Sequence, residues 1–232
     1  MRFDGVPIWA GEQRVGSARQ IAKLLGTKMA MVFQDPMSSL NPSLTVGSQV
    51  AEPGFLHGGL SVAAAKRNAV QLLAKVQISE PARRARQHPH ELSGGMRQRA
   101  MIAMGLMGTP ALIIADEPTT ALDVTVQREV LSLLHQVHEE SGTAILMISR
   151  DIAVITGFCS RVLVMYQAQI VEEISSAERV AGNAKHPYTR ALLAAVPTMH
   201  TDRDAPMAKI SEGQDFTTDR AASAVETDEH YV

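Results

Sequence analysis

The chain has 232 residues, 45% of them apolar, and its 22 basic and 24 acidic side chains leave a formal charge of -2. That size and apolar content suffice for a sizeable buried core, and the near-neutral balance excludes the basic excess that a nucleic-acid or strongly anionic surface demands of its partner. A single cysteine, Cys159, leaves no internal disulfide and fits a reducing compartment, and no stretch approaches the ~20 apolar residues that span a bilayer. The N-terminus reads as lacking a charged segment that leads into an apolar signal core, so a cytoplasmic chain without direct membrane insertion is expected.

Residues Met1 to Gly5 read as the end of a strand entering a turn, with a segment expected upstream to pair with it. Residues 18 to 25 suit a short amphipathic helix, and Met29-Ala30-Met31-Val32-Phe33 a compact buried strand that ends at Gln34. Asp35 to Pro42, with two prolines and several short polar side chains, reads as a loop, and a helical stretch follows from about Thr45. Ser61 can cap a helix through Lys75 in which Ala65, Ala69, Leu72, Leu73 and Val76 recur at helical spacing. Pro81 and Pro89 bracket a basic connector whose Arg83, Arg84 and Arg86 read as solvated. A helix opens at Ser93 and runs to about Met107, where Gly108 and Pro110 stop it.

Leu112 to Ala115 is short and wholly apolar, as a buried strand should be. Val126, Val130, Leu133, Leu134 and Val137 then mark one helix face, and Ala144 to Ile148 forms the next buried strand. A helix near Ile152 to Phe158, strands at 161–166 and 169–173, and helices near Ala177 and Tyr188 complete the series. Buried strands alternating with helices define an α/β fold with a parallel sheet. From Thr201 to Val232 there are eight acidic against three basic residues, a tail near -5 against a remainder near +3. Its few large apolar residues predict a disordered segment over 198–232.

Three places carry chemistry. Asp116-Glu117 follows a buried strand, where open α/β sheets put their ligands; one carboxylate can support Mg²⁺ and the next can act on an attacking water. Ser93-Gly94-Gly95 opens a helix, so unpaired N–H groups and the positive end of its dipole form an anion site, and glycines let a phosphate come close. Gln34, between a strand and a loop, has an amide able to reach the Mg²⁺ and γ-phosphate region. His57, His88, His90 and His186 lack both a neighbouring cysteine and an i,i+4 histidine, so no metal site is expected of them, and His135 and His138 read as a solvated face. Cys159 reads as a small buried apolar residue.

Leu92-Ser93-Gly94-Gly95-Met96-Arg97-Gln98, followed by Leu112-Ile113-Ile114-Ala115-Asp116-Glu117-Pro118-Thr119, resembles the signature motif, Walker B strand and catalytic glutamate of an ABC-type ATPase. Phe33-Gln34-Asp35-Pro36 with Ser39-Leu40-Asn41-Pro42, Pro89-His90-Glu91 before the signature, and His186-Pro187-Tyr188-Thr189-Arg190-Ala191-Leu192-Leu193 narrow the resemblance to the ATP-binding subunits of oligopeptide, dipeptide and nickel importers, over about residues 1 to 197. It implies an ABC-type P-loop NTPase fold with a helical signature subdomain over about 43–107, ATP and Mg²⁺ at a site shared with a partner, a second ATPase subunit and two integral membrane permease subunits. The expected place is peripheral, on the cytoplasmic face of the inner membrane.

By the same resemblance, Gln34 is the Q-loop residue and joins Asp116 in supporting Mg²⁺. Glu117 is the general base, Ser93, Gly94 and Gly95 contact nucleotide, and Asp123 belongs to the D-loop. Two departures stand out. The phosphate loop G-x-x-x-x-G-K-[ST] is missing: of the lysines at 23, 28, 66, 75, 185 and 209, none follows a glycine, and Gly11 to Ser17 has the glycine spacing without the lysine. The family fold is therefore expected to lack its N-terminal strand and phosphate loop here. The switch-histidine position is occupied by Arg150, which stays protonated and cannot accept a hydrogen bond. An importer subunit impaired in its own ATP site is the first expectation. The second is a non-catalytic partner that donates its signature to a complete subunit.

Overall fold

The computed structural model describes residues 2–3, 5–10, 13–14, 17–120, 122–175, 184–196 and 216. They fall into two compact units, 1–148 and 149–232.

The first unit opens with two small antiparallel pairs. Strands β1 (Arg2–Phe3) and β2 (Val6–Pro7) turn about Gly5 at φ 73°, and β3 (Trp9–Ala10) pairs with β4 (Gln13–Arg14). Helix α1 (Ala18–Leu24) leads into β5 (Met29–Val32). After Gln34 the expected loop is partly wound. The Asp35 carboxylate accepts the Met37 N–H at 2.8 Å, and Pro36 supplies a preset φ at the first position, so α2 (Pro36–Ser39) forms a single helical turn. The Met37 amide, with Ser38, holds the Asp35 carboxyl below its ordinary value. Its capping contribution is thus present above the usual carboxylate range and lost as pH falls through the lowered pKa.

Helices α3 (Val46–Leu56), α4 (Val62–Lys75), α5 (Pro81–Arg84) and α6 (Gly94–Leu106) follow, with α3, α4 and α6 packed on one another. Ser61 caps α4 as its sequence predicts, accepting the Ala64 N–H at 3.2 Å, and Ala65, Ala69 and Leu73 form the buried stripe. Arg83 pairs with Glu80 on an exposed surface. Strand β6 (Leu112–Asp116) precedes α7 (Val124–Ser141), whose Val130, Leu133, Leu134 and Val137 are buried while His135 and His138 are exposed. Strand β7 (Ala144–Ile148) ends the unit.

Strands β5, β6 and β7 form a parallel sheet in that order, with Met31, Ile114 and Leu146 in register. One face is buried: α6 packs on β5 and α7 on β7, over Ala30, Val32, Ile113, Ala115 and Met147. The opposite face corrects the expectation of strands buried on both sides. Met31 is 41% exposed, Leu146 49% and Ile148 48%, with Phe33 just beyond β5 at 45%. The apolar run does form a parallel strand, but a residue's type does not say whether a layer lies over it. An open apolar sheet face of this kind binds hydrophobic probes. The purified chain is expected to enhance 1-anilinonaphthalene-8-sulfonate fluorescence, and Leu146→Thr with Ile148→Thr to reduce that enhancement at least about twofold at unchanged far-UV dichroism.

In the second unit, Asp151 caps α8 (Ile152–Phe158) by accepting the Ala153 and Val154 N–H groups at 2.9 and 3.3 Å. Strands β8 (Arg161–Tyr166) and β9 (Gln169–Ser175) make an antiparallel hairpin through Gln167 and Ala168, both at positive φ as a two-residue turn of this hand requires. Helix α9 (Pro187–Ala194) is capped by His186, whose Nδ1 accepts the Tyr188 N–H at 3.2 Å. Buried Glu172 on β9 accepts the N–H groups of Lys185 at 2.6 Å and His186 at 3.1 Å, which fixes the start of α9 against the hairpin. Cys159 is half-buried rather than buried, and that burial raises its pKa. The helix expected near Ala177 lies outside the described residues. So does the expected disordered tail except for Phe216, which is buried at 2% exposure.

Candidate nucleotide site

The carboxyl end of the parallel sheet carries the acidic pair. Asp116 is the last residue of β6, and Glu117 leaves the strand at φ 42° with its N–H bound to the Ile148 carbonyl at 2.8 Å. A left-handed glutamate is uncommon and costs conformational energy; the neighbouring strand holds it in place. Glu117 is buried, and two donors converge on its Oε2: Gln34 Nε2 at 2.9 Å and Thr120 Oγ1 at 3.0 Å. Two residues 83 apart in sequence, Gln34 and Glu117, are thereby joined. Thr120 is the member that sequence reasoning passed over. Its signal was a hydroxyl three residues beyond the carboxylate, within reach across a tight turn, and the Thr120 N–H to Glu117 carbonyl bond at 3.3 Å closes that turn.

The second part is the start of α6. The segment before it is set by a 3-10 turn at Pro89–Glu91, in which the Glu91 carboxylate accepts the His88 N–H at 2.6 Å, and Leu92 is buried beneath. Ser93 then caps α6, its Oγ accepting the Met96 N–H at 3.3 Å, and both Ser93 and Gly94 are exposed. The two glycines do different work. A Cβ on Gly94 would meet only Leu122 at 3.8 Å, so this backbone is open to an approaching group. A Cβ on Gly95 would lie 2.5 Å from Val126 Cγ1, so Gly95 serves the packing of α6 on α7. The absence of a side chain at Gly95 is thus required by packing, while its backbone N–H stays at the head of the helix beside that of Gly94.

Asp123 is exposed and caps α7, accepting the Thr125 and Val126 N–H groups at 3.0 Å each. The Gly95 and Val126 contact therefore brings the cap of α7 beside the cap of α6. Arg97 extends the site in the other direction: its Nε donates to the Pro89 carbonyl at 2.8 Å and its Nη1 meets the Met37 sulfur, tying α6 to the turn after Gln34. Arg150 belongs to the second unit, two residues past the end of β7, and is exposed.

The Asp116 carboxylate, the Glu117 carboxylate and the Gln34 amide oxygen offer only hard oxygen donors, which suits Mg²⁺ carried on nucleotide phosphates. Among the described residues no group of three His, Cys, Asp or Glu side chains could hold a metal ion by itself. The N–H groups at the head of α6 suit a phosphate. The residues present thus fit the metal and the terminal phosphate, while the lysine loop that cradles a nucleotide does not occur in the sequence.

Residues 7–120 match the family described as ABC transporter. A solved dimeric bacterial ABC transporter cassette, MJ0796, superposes with a TM-score of 0.60 at 30% identity, covering 69% of this chain and 68% of that one. The chain belongs to the ABC transporter family. Its α/β fold is that of the family's ATP-binding cassettes, and a post-hydrolysis MJ0796 dimer bound to ADP and Pi superposes at a TM-score of 0.63 with 28% identity, over 75% of this chain and 72% of that one. Among curated relatives, a probable peptide ABC transporter ATP-binding protein of Sinorhizobium fredii is 48% identical over 194 residues, 84% of this chain and 58% of that protein. The oligopeptide transport ATP-binding protein OppD of Bacillus subtilis is 44% identical over 194 residues, 84% of this chain and 54% of OppD. The chain spans about half the length of the curated relatives it matches. No helix among its described residues is long and apolar enough to cross a membrane.

Proposed function

We propose that this ABC chain is the ATP-binding subunit of an importer for peptides, or nickel, impaired at its own ATP site and supplying its signature edge to the nucleotide of a second ATPase subunit. The observation that carries the reading is the exposed, serine-capped head of α6, whose Gly94 backbone is open while the next residue, Gly95, packs against Val126 of α7. The peptide-import names of the relatives support the transport assignment. Two membrane permease subunits would complete the assembly at the cytoplasmic face of the inner membrane.

Bound ATP supplies the phosphoryl group and Mg²⁺ the charge neutralisation. The chain's own contribution is positional and electrostatic. Glu117 can take a proton from an attacking water, and Gln34 and Thr120 fix its carboxylate by donating to Oε2. Asp116 and the Gln34 oxygen would hold the metal, and the N–H groups at Ser93 to Gly95 would meet the opposed γ-phosphate without reorganising. Arg97 passes movement of the turn after Gln34 to the signature helix through its Met37 and Pro89 contacts. Arg150, at the position of the family's switch histidine, stays protonated and cannot accept a hydrogen bond as a histidine does.

The purified chain alone is expected to show no ATP turnover above a Glu117→Gln control in a phosphate-release assay. Turnover by the chain alone that disappears in Glu117→Gln would overturn the proposal. The second reading is a wholly non-catalytic partner that donates its signature to a complete subunit. It is separated by Glu117→Gln within the two-subunit complex: an unchanged rate supports that reading, a small loss supports an impaired site in this chain, and a loss of about half overturns the impairment.

A further inference from the structure

The acidic C-terminal segment carries one large aromatic residue in its middle, Phe216, and the fold buries it. Its ring centroid lies 5.6 Å from that of Tyr166, edge-on at 89°, and 5.5 Å from that of Tyr188 at 60°, while the two tyrosines are 4.6 Å apart. These are favourable tilted and edge-to-face ring geometries. The receiving side is built by other parts of the unit. Tyr166 ends β8 at the tight Gln167-Ala168 turn, and Tyr188 sits in the first turn of α9, whose start is fixed by the Glu172 carboxylate and capped by His186. Both tyrosines are therefore placed by backbone interactions that do not involve Phe216.

We propose that the Tyr166 and Tyr188 pair is a docking site for an aromatic residue carried in an acidic segment, and that its occupant is Phe216 of this same chain. Residues 197–215 separate Phe216 from the end of the α9 region, so docking is intramolecular and needs only weak intrinsic affinity: a tether of this length supplies an effective concentration in the millimolar range. The nearby sequence Ser211-Glu212-Gly213-Gln214-Asp215-Phe216-Thr217-Thr218-Asp219-Arg220 offers Phe216 as its single apolar anchor. Docking fixes one point of a segment whose composition otherwise favours the unfolded chain.

The test uses the full chain. Trypsin cleavage after Lys209 and Arg220 is expected to be about tenfold faster in Phe216→Ala than in the wild type, restored towards the wild-type rate in Phe216→Tyr, and equally fast in Tyr188→Leu. Equal cleavage in wild type and Phe216→Ala overturns the proposal. To separate docking from a general loosening, the peptide 211–220 is added at millimolar concentration and read by saturation-transfer NMR. Its phenylalanine ring protons are expected to saturate with the Phe216→Ala chain and far less with wild type, whose site is already filled. Equal saturation by both chains, or none by Phe216→Ala, overturns it.

Discussion

With a complete ATPase subunit as partner, Ser93→Arg in this chain is expected to lower the partner's ATP turnover by at least about 100-fold. The reason lies in what the head of α6 offers. Four N–H groups at a helix start have no partner within the helix, and together with the dipole they make a fixed positive potential where a phosphate would gain charge on the way to the transition state. Ser93 is exposed, so an arginine side chain fits the free chain without entering its core, but it fills the approach beside Gly94. Removing one preorganised donor from such a site typically costs about 10²–10³ in rate. Ser93→Ala is the control, because it removes the bond to the Met96 N–H and costs only about 1 kcal/mol of helix stability while leaving the approach open. Unchanged turnover in Ser93→Arg, measured on a complex shown to contain both subunits, would remove the basis for a site shared in trans.

Ile113→Ala should produce the largest loss of stability. Ile113 is fully buried on β6, the central strand, in register with Ala30 on β5 and Ile145 on β7. Truncating it removes apolar contact and leaves a cavity between the strands and the helices on that face, at a cost of about 2–5 kcal/mol. A typical domain has only about 5–15 kcal/mol in total, so the urea midpoint should fall by a large fraction with its slope unchanged. A loss below about 1 kcal/mol would show that the sheet tolerates collapse at its centre. Because β6 also carries Asp116 into Glu117, the same change should weaken the Glu117 to Gln34 bond before the unit unfolds.

The site was legible in unequal parts. Ser93, Asp116 and Glu117 could be named from the sequence because each sits at a junction that local physics marks, a helix cap or the end of an apolar strand. Thr120 escaped because its hydroxyl matters only once the turn after Glu117 has folded back. The winding of Asp35 to Ser39 was missed for a related reason: Asp and Pro suit a turn and a helix start equally, and the Met37 N–H chose between them. Phe216 lay unremarked in an acidic tail, since composition averages over a segment and hides one anchored ring.

Periodicity and short-range capping are encoded within a few residues, and they were enough to establish the alternation of strands and helices and the helix that opens at Ser93, while the family came from the resemblance of the motifs at 92–98 and 112–119. Contacts between distant residues follow no local rule. The joining of Gln34 to Glu117, the separate duties of Gly94 and Gly95, and the open face above Met31 and Leu146 appear only when the elements have packed, because each depends on which surface another part of the chain comes to cover.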